Sequence, residues 1–97
     1  MSNQNLKYQS KVNVVTERLA KMSSSELLDL PHYSTMTEDG LEVGIWHHDT
    51  IDDEHHIVVQ AQRRVFLLLW KNYLNGIIVK NNLQIILMPN KVIASYD

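Results

Sequence analysis

The apolar positions of this chain fall into two regimes, a helical spacing before residue 31 and shorter β-type runs after residue 40. Tyr8, Val12, Val15, Leu19 and Met22 recur at steps of four, three, four and three. On a helix that spacing gathers them into one stripe, with Lys11, Glu17, Arg18 and Lys21 at its margins or away from it. The stripe predicts a helix lying on a sheet, with a dimer seam as the alternative; two heptads are too few for a coiled coil. The β-branched Val12, Val14 and Val15 weaken that helix slightly. A second, short helix is predicted from Ser23, whose hydroxyl can cap while Glu26, three residues on, reaches back to the cap amide. Leu27, Leu28 and Leu30 supply its apolar turn, and Pro31 stops it.

Residues 32–40 are polar, end in Asp39-Gly40, and read as a loop leading into a strand. Residues 41–46 alternate partly, residues 55–62 are rich in β formers, and the stretch 49–54 between them is turn-like. Together they predict a hairpin. The segment 65–74 is ambiguous: its leucines and the following Gly76 suit a helix, while Val65, Phe66, Trp70 and Tyr73 suit a strand. A strand is preferred because Ile77, Ile78 and Val79 need a nearby partner; a third helix over 64–75 is the alternative. Lys80-Asn81-Asn82-Leu83 reads as a tight turn joining 77–80 to 83–87, with asparagine taking any positive φ. Residues 91–97 read as an edge segment or a loose tail. The fold class expected is therefore α+β: an N-terminal helix and a short second helix packed on an antiparallel β-meander of about four strands.

Composition narrows this little. The 97 residues suit one domain over 1–97, with 1–7 and 91–97 as candidate loose ends. There is no cysteine, which removes disulfides, thiolate metal sites and a cysteine nucleophile, and fits a cytoplasmic protein. The first residues lack the apolar core of a secretory signal, and the longest apolar run, 65–70, is far too short to span a membrane. No membrane partner is expected. Net charge is −2 but unevenly spread: +1 over residues 1–31, −7 over 32–62 and +4 over 63–97. Five dispersed cations make a poor basic stripe, so no nucleic-acid partner is expected, although Arg63 and Arg64 with Trp70 and Tyr73 could form a stacking surface. The plainer reading is that acidic and basic strands pair across one sheet.

The candidate chemistry lies at the predicted 41–62 hairpin, where His47-His48 and His55-His56 flank Asp49, Asp52, Asp53 and Glu54. With the turn centred between Ile51 and Asp52, His48 faces His55 and His47 faces His56. Neighbours along a strand point to opposite faces, so the four histidines form two pairs on opposite sides. His48 and His55, completed by Asp49 or Asp53, could then hold zinc or nickel; a one-residue slip would regroup every ligand. The alternatives are a solvated polar hairpin end and a pH response through opposed imidazoles. Acid–base chemistry by a histidine with Asp49 or Glu54 lacks a nucleophile or oxyanion-hole motif. His32 and Ser34 form no triad signature, and Gly40, Gly44 and Gly76 are too scattered for a phosphate loop. The function expected is a non-enzymatic protein-interaction or self-assembly module, with a metal-binding protein as the alternative and a small hydrolase-like enzyme behind both.

Overall fold

The apolar stripe near the start of the chain does form a helix, α1 (Asn3–Ala20), and the Ser23 cap starts α2 (Ser24–Leu28). The computed structural model describes residues 3–67 and 69–97. Val12, Val15 and Leu19 are buried along the stripe, and Tyr8 and Met22 pack at its ends. The Ser23 hydroxyl accepts from the Glu26 amide while the Glu26 carboxylate accepts from the Ser23 amide, a reciprocal capping box. It orients α2 so that Leu27 is fully buried, worth about 2 kcal/mol for a side chain of that size.

Five antiparallel strands follow: β1 (Tyr33–Glu38), β2 (Leu41–Asp49), β3 (His55–Phe66), β4 (Leu69–Val79) and β5 (Ile85–Leu87). They lie in sequence order, a meander in which each strand bonds to its neighbour in the chain. A final short helix, α3 (Asn90–Ala94), closes the chain.

The sheet buries both faces. Against α1 and α2 lie Val43, Ile45, Ile57, Val59, Ala61, Tyr73, Ile77 and Val79. On the other face Val58, Ile78 and Met88 form a smaller cluster with Val92, Ile93 and Tyr96 from α3 and the residues after it. A polar seam joins α1 to β4, where Asn13 accepts from Asn75 Nδ2 at 2.8 Å and Asn5 accepts from the Tyr73 hydroxyl. The acids of β1 and its turn pair with α1, not with a basic strand: Lys11 meets Asp39 and Arg18 meets Glu38. The Lys11 contact holds the Asp39 carboxyl below its ordinary range.

Several expectations change. Residues 33–38 form an edge strand, not a loop; Asp39 and Gly40, at φ 51° and 83°, make the two-residue reversal into β2. Met36 is its one large apolar residue packed on the core, so hydrophobic patterning was too thin to reveal it. The segment 65–75 is strand on both sides of a reversal and not a third helix, and β4 runs unbroken through residues 77–79. Leu68, within that reversal, lies outside the described residues, as do residues 1 and 2. At the next turn the left-handed residue is Leu83 (φ 69°), not an asparagine. Residues 90–94 are helical where an edge segment or loose tail was expected.

The register of β2 with β3 also differs by one residue. Asp49 faces His55, His48 faces His56 and His47 faces Ile57. The cause is the reversal over residues 50–54. Thr50 and Glu54 close it through backbone and hydroxyl bonds, and Asp53 takes the left-handed conformation at φ 59°. That arrangement centres the turn on Asp52, as in three-residue hairpin loops that end on a left-handed residue.

Candidate metal centre

The shifted register regroups the histidines. Alternate residues share a face, so His47 and Asp49 of β2 point to the helix-covered side together with His55 of β3. His48 and His56 point to the other side. There are still two histidine pairs on opposite faces, but their membership has changed.

His47 is held from three directions. Its amide donates to the His32 carbonyl at 3.0 Å, its own carbonyl accepts from His32 Nδ1 at 3.2 Å, and its ring Nδ1 lies 2.7 Å from the Leu30 carbonyl. The strand thus places the ring, and the segment following α2 locks it. A carbonyl can only accept, so His47 Nδ1 carries the hydrogen and a neutral ring presents Nε2 as a bare lone pair. That lone pair faces His55 Nδ1 at 2.8 Å and Asp49 Oδ1 at 3.6 Å. His55 Nδ1 is itself 2.8 Å from Asp49 Oδ1. Three donor atoms therefore converge, each within 4.8 Å of the others. With His47 Nε2 bare, the hydrogen among them belongs to His55 Nδ1, pointing at two acceptors.

The spacing suits a metal. Two ligands at about 2.0–2.1 Å from a tetrahedral zinc lie roughly 3.3 Å apart, so the observed pairs need to move by only about half an ångström. Burial is graded: His47 is buried, His55 is partly covered, and the Asp49 side chain is 67% exposed. The Leu30 carbonyl behind His47 is the kind of outer partner that fixes the tautomer and ring plane of a ligating imidazole.

Of the residues expected to ligate, His55 and Asp49 come together here. His48 lies on the opposite face, and Asp53 sits in the turn outside the cluster. His47 was not among them. The signal for it was the parity of the 50–54 reversal, which residue types alone left open.

The opposite face is organised around aromatic rings. Trp46 packs between Tyr33, with centroids 4.4 Å apart, and His48 at 6.3 Å; His48 in turn stacks on Tyr96 at 5.2 Å. The Tyr96 hydroxyl lies 2.6 Å from His56 Nδ1. Burial raises the Tyr96 hydroxyl above its ordinary range, which keeps it a donor. Burial also holds the His56 imidazole below its ordinary range, against an opposing pull from Glu54, 3.8 Å from its Nε2. A concavity of about 250 Å³ beside them is lined by Trp46, His48, Val58, Gln60, Leu74 and Tyr96. The one hydroxyl in this lining, that of Tyr96, is engaged with His56.

No family model, curated protein or solved structure matches the chain.

Proposed function

We propose that this protein binds a divalent transition-metal ion, with zinc the best fit and nickel the next, through His47 Nε2, His55 Nδ1 and Asp49 Oδ1. The observation that carries this reading is the bare Nε2 of His47, oriented by the Leu30 carbonyl toward two further donor atoms. Two imidazoles and a carboxylate suit zinc, and they leave one position open for water or an incoming ligand. Metal at His55 Nδ1 would displace the hydrogen there, which passes to His55 Nε2 as the ring changes tautomer.

Calorimetric titration with zinc at neutral pH tests it. One site per chain is expected. Free zinc at a hundred times the dissociation constant would stabilise the fold by about 2.7 kcal/mol, visible as a raised melting temperature. Absence of both heat and melting shift would remove the proposal.

The broader reading as a non-enzymatic interaction module draws support from a different place, the exposed apolar end of the β3–β4 hairpin.

A further inference from the structure

The β3–β4 hairpin ends in large apolar side chains that are exposed among the described residues. Phe66, Leu67, Leu69 and Trp70 are between 57 and 66% exposed, and Val65 is 44% exposed. Contiguous exposed apolar groups of this size mark a contact surface. The charges nearest them along β3 and β4 are cationic, and Glu42 of β2 shares a pocket with Trp70. Arg63, Arg64 and Lys71 flank the tip, and residues 55–96 contain no Asp or Glu. Arg64 Nε donates to the Leu67 carbonyl, which folds the reversal and keeps a cation next to it.

A second copy of the chain fits this surface poorly. Tip-to-tip contact would bring the Arg64 and Lys71 cations of both copies together. Head-to-tail contact would meet the acidic reversal over residues 50–54, at the far end of β3. That reversal carries one large apolar residue, Ile51, with Leu83 on the neighbouring β4–β5 turn. The surface that matches is apolar within and anionic at its boundary. We infer that the β3–β4 tip is a lipid-binding wedge that enters the interfacial layer of a negatively charged bilayer. Trp70 lies at the headgroup level and Arg64 and Lys71 lie against the anionic headgroups. No helix among the described residues is long and apolar enough to cross a membrane, so this contact is peripheral. The expectation of no membrane partner rested on the length of the apolar run, which bears on spanning and not on insertion of a tip. The acidic reversal at the other end of β3 is repelled by the same surface, which orients the molecule with its tip inward.

Sedimentation with vesicles of mixed phosphatidylcholine and phosphatidylglycerol, against vesicles of phosphatidylcholine alone, tests this. Binding is expected to the anionic vesicles and to weaken with salt. In a Trp46→Phe background, the emission of Trp70 should shift to the blue on binding. Phe66→Ser with Leu69→Ser should lower partitioning by roughly ten-fold or more per side chain, the factor for withdrawing one large apolar group from water. Lys71→Glu changes the local charge by two units and should cost about thirty-fold, at about five-fold per charge, with the fold intact by circular dichroism. Equal affinity for the two vesicle types, or no binding to either, overturns the inference. So does a concentration-dependent dimer in light scattering that Phe66→Ser abolishes, because the tip would then be a surface for a second copy.

Discussion

The Nε2 atom of His47 lies 2.8 Å from the Nδ1 atom of His55, although the two residues sit diagonally across the β2–β3 ladder and not opposite one another. Diagonal neighbours on one face are within reach of long or aromatic side chains, and here the diagonal is what closes the donor cluster. The same geometry separates His47 from His48 functionally. His47→Ala should abolish zinc binding, whereas His48→Ala should leave the affinity within about three-fold, since no donor atom is lost from the cluster. Affinity in either protein that retains His47 should fall as the solution is acidified, because protons compete with the metal for the ligand atoms. Calorimetry on the two variants decides it; loss of binding in His48→Ala alone would point to the other face.

Gly76 leaves no room for a side chain. A Cβ there would stand 2.6 Å from the Ile57 carbonyl oxygen and 3.0 Å from the Met88 methyl. Met88 is flexible, but the Ile57 backbone belongs to the central ladder. Gly76→Ala should destabilise the protein by about 1–3 kcal/mol, the usual cost of overpacking. A lowered urea midpoint with unchanged slope is the expected reading.

Leu83 occupies the left-handed position of the β4–β5 reversal at φ 69°, with its side chain mostly in solvent. A β-carbon in that conformation costs about 1–2 kcal/mol. Leu83→Gly removes the strain but enlarges the unfolded ensemble by about 0.4–1 kcal/mol. The net gain should be on the order of 0.5 kcal/mol in chemical denaturation, while Leu83→Ala, which keeps its β-carbon, should gain nothing.

Asp39 contributes to acid stability with a definite sign. Its hydrogen bond and charge contact with Lys11 hold the folded carboxyl below its ordinary value of 3.8, so the folded protein binds fewer protons than the unfolded chain in that interval. The contribution is complete above the unfolded value and is lost as pH falls through the folded one. Asp39→Asn preserves tolerance of the left-handed backbone and removes the titration. Its stability should fall less steeply below about pH 4 than that of the parent, in low salt only, since the pair is exposed and screened. Matching acid limbs in low salt would show that Lys11 contributes nothing.

Features set by local spacing were readable from residue types. The α1 stripe needs only the 3.6-residue period, and the Ser23–Glu26 box needs one spacing of three; both are present. Features set by the chain's reversals were not. The turn at Leu67 contains no glycine, proline or asparagine, so nothing marked the point where an apolar run folds back on itself. The β2–β3 register depended on whether the reversal centres on a residue or between two. Thr50 and Asp53 decide that by hydrogen bonds and backbone conformation worth about 1 kcal/mol each, too little to leave a pattern. The candidate site inherited that ambiguity: its residue types were visible, and its membership was not.

The meander has a consequence for how the molecule assembles. Each strand finds its partner across a short reversal, so the sheet can zip together from local contacts. Helix α1 is different, because its anchors Asn13 and Asn5 reach Asn75 and Tyr73 across 62 and 68 residues of chain. During synthesis α1 emerges well before β4, the strand it is anchored to. Helix α1 therefore waits for β4 before it can dock, and until then the apolar face of Ile57, Val59 and Ile77 stays open to whatever it meets. Pulse-labelled hydrogen exchange should show β3 and β4 amides protected before those of α1.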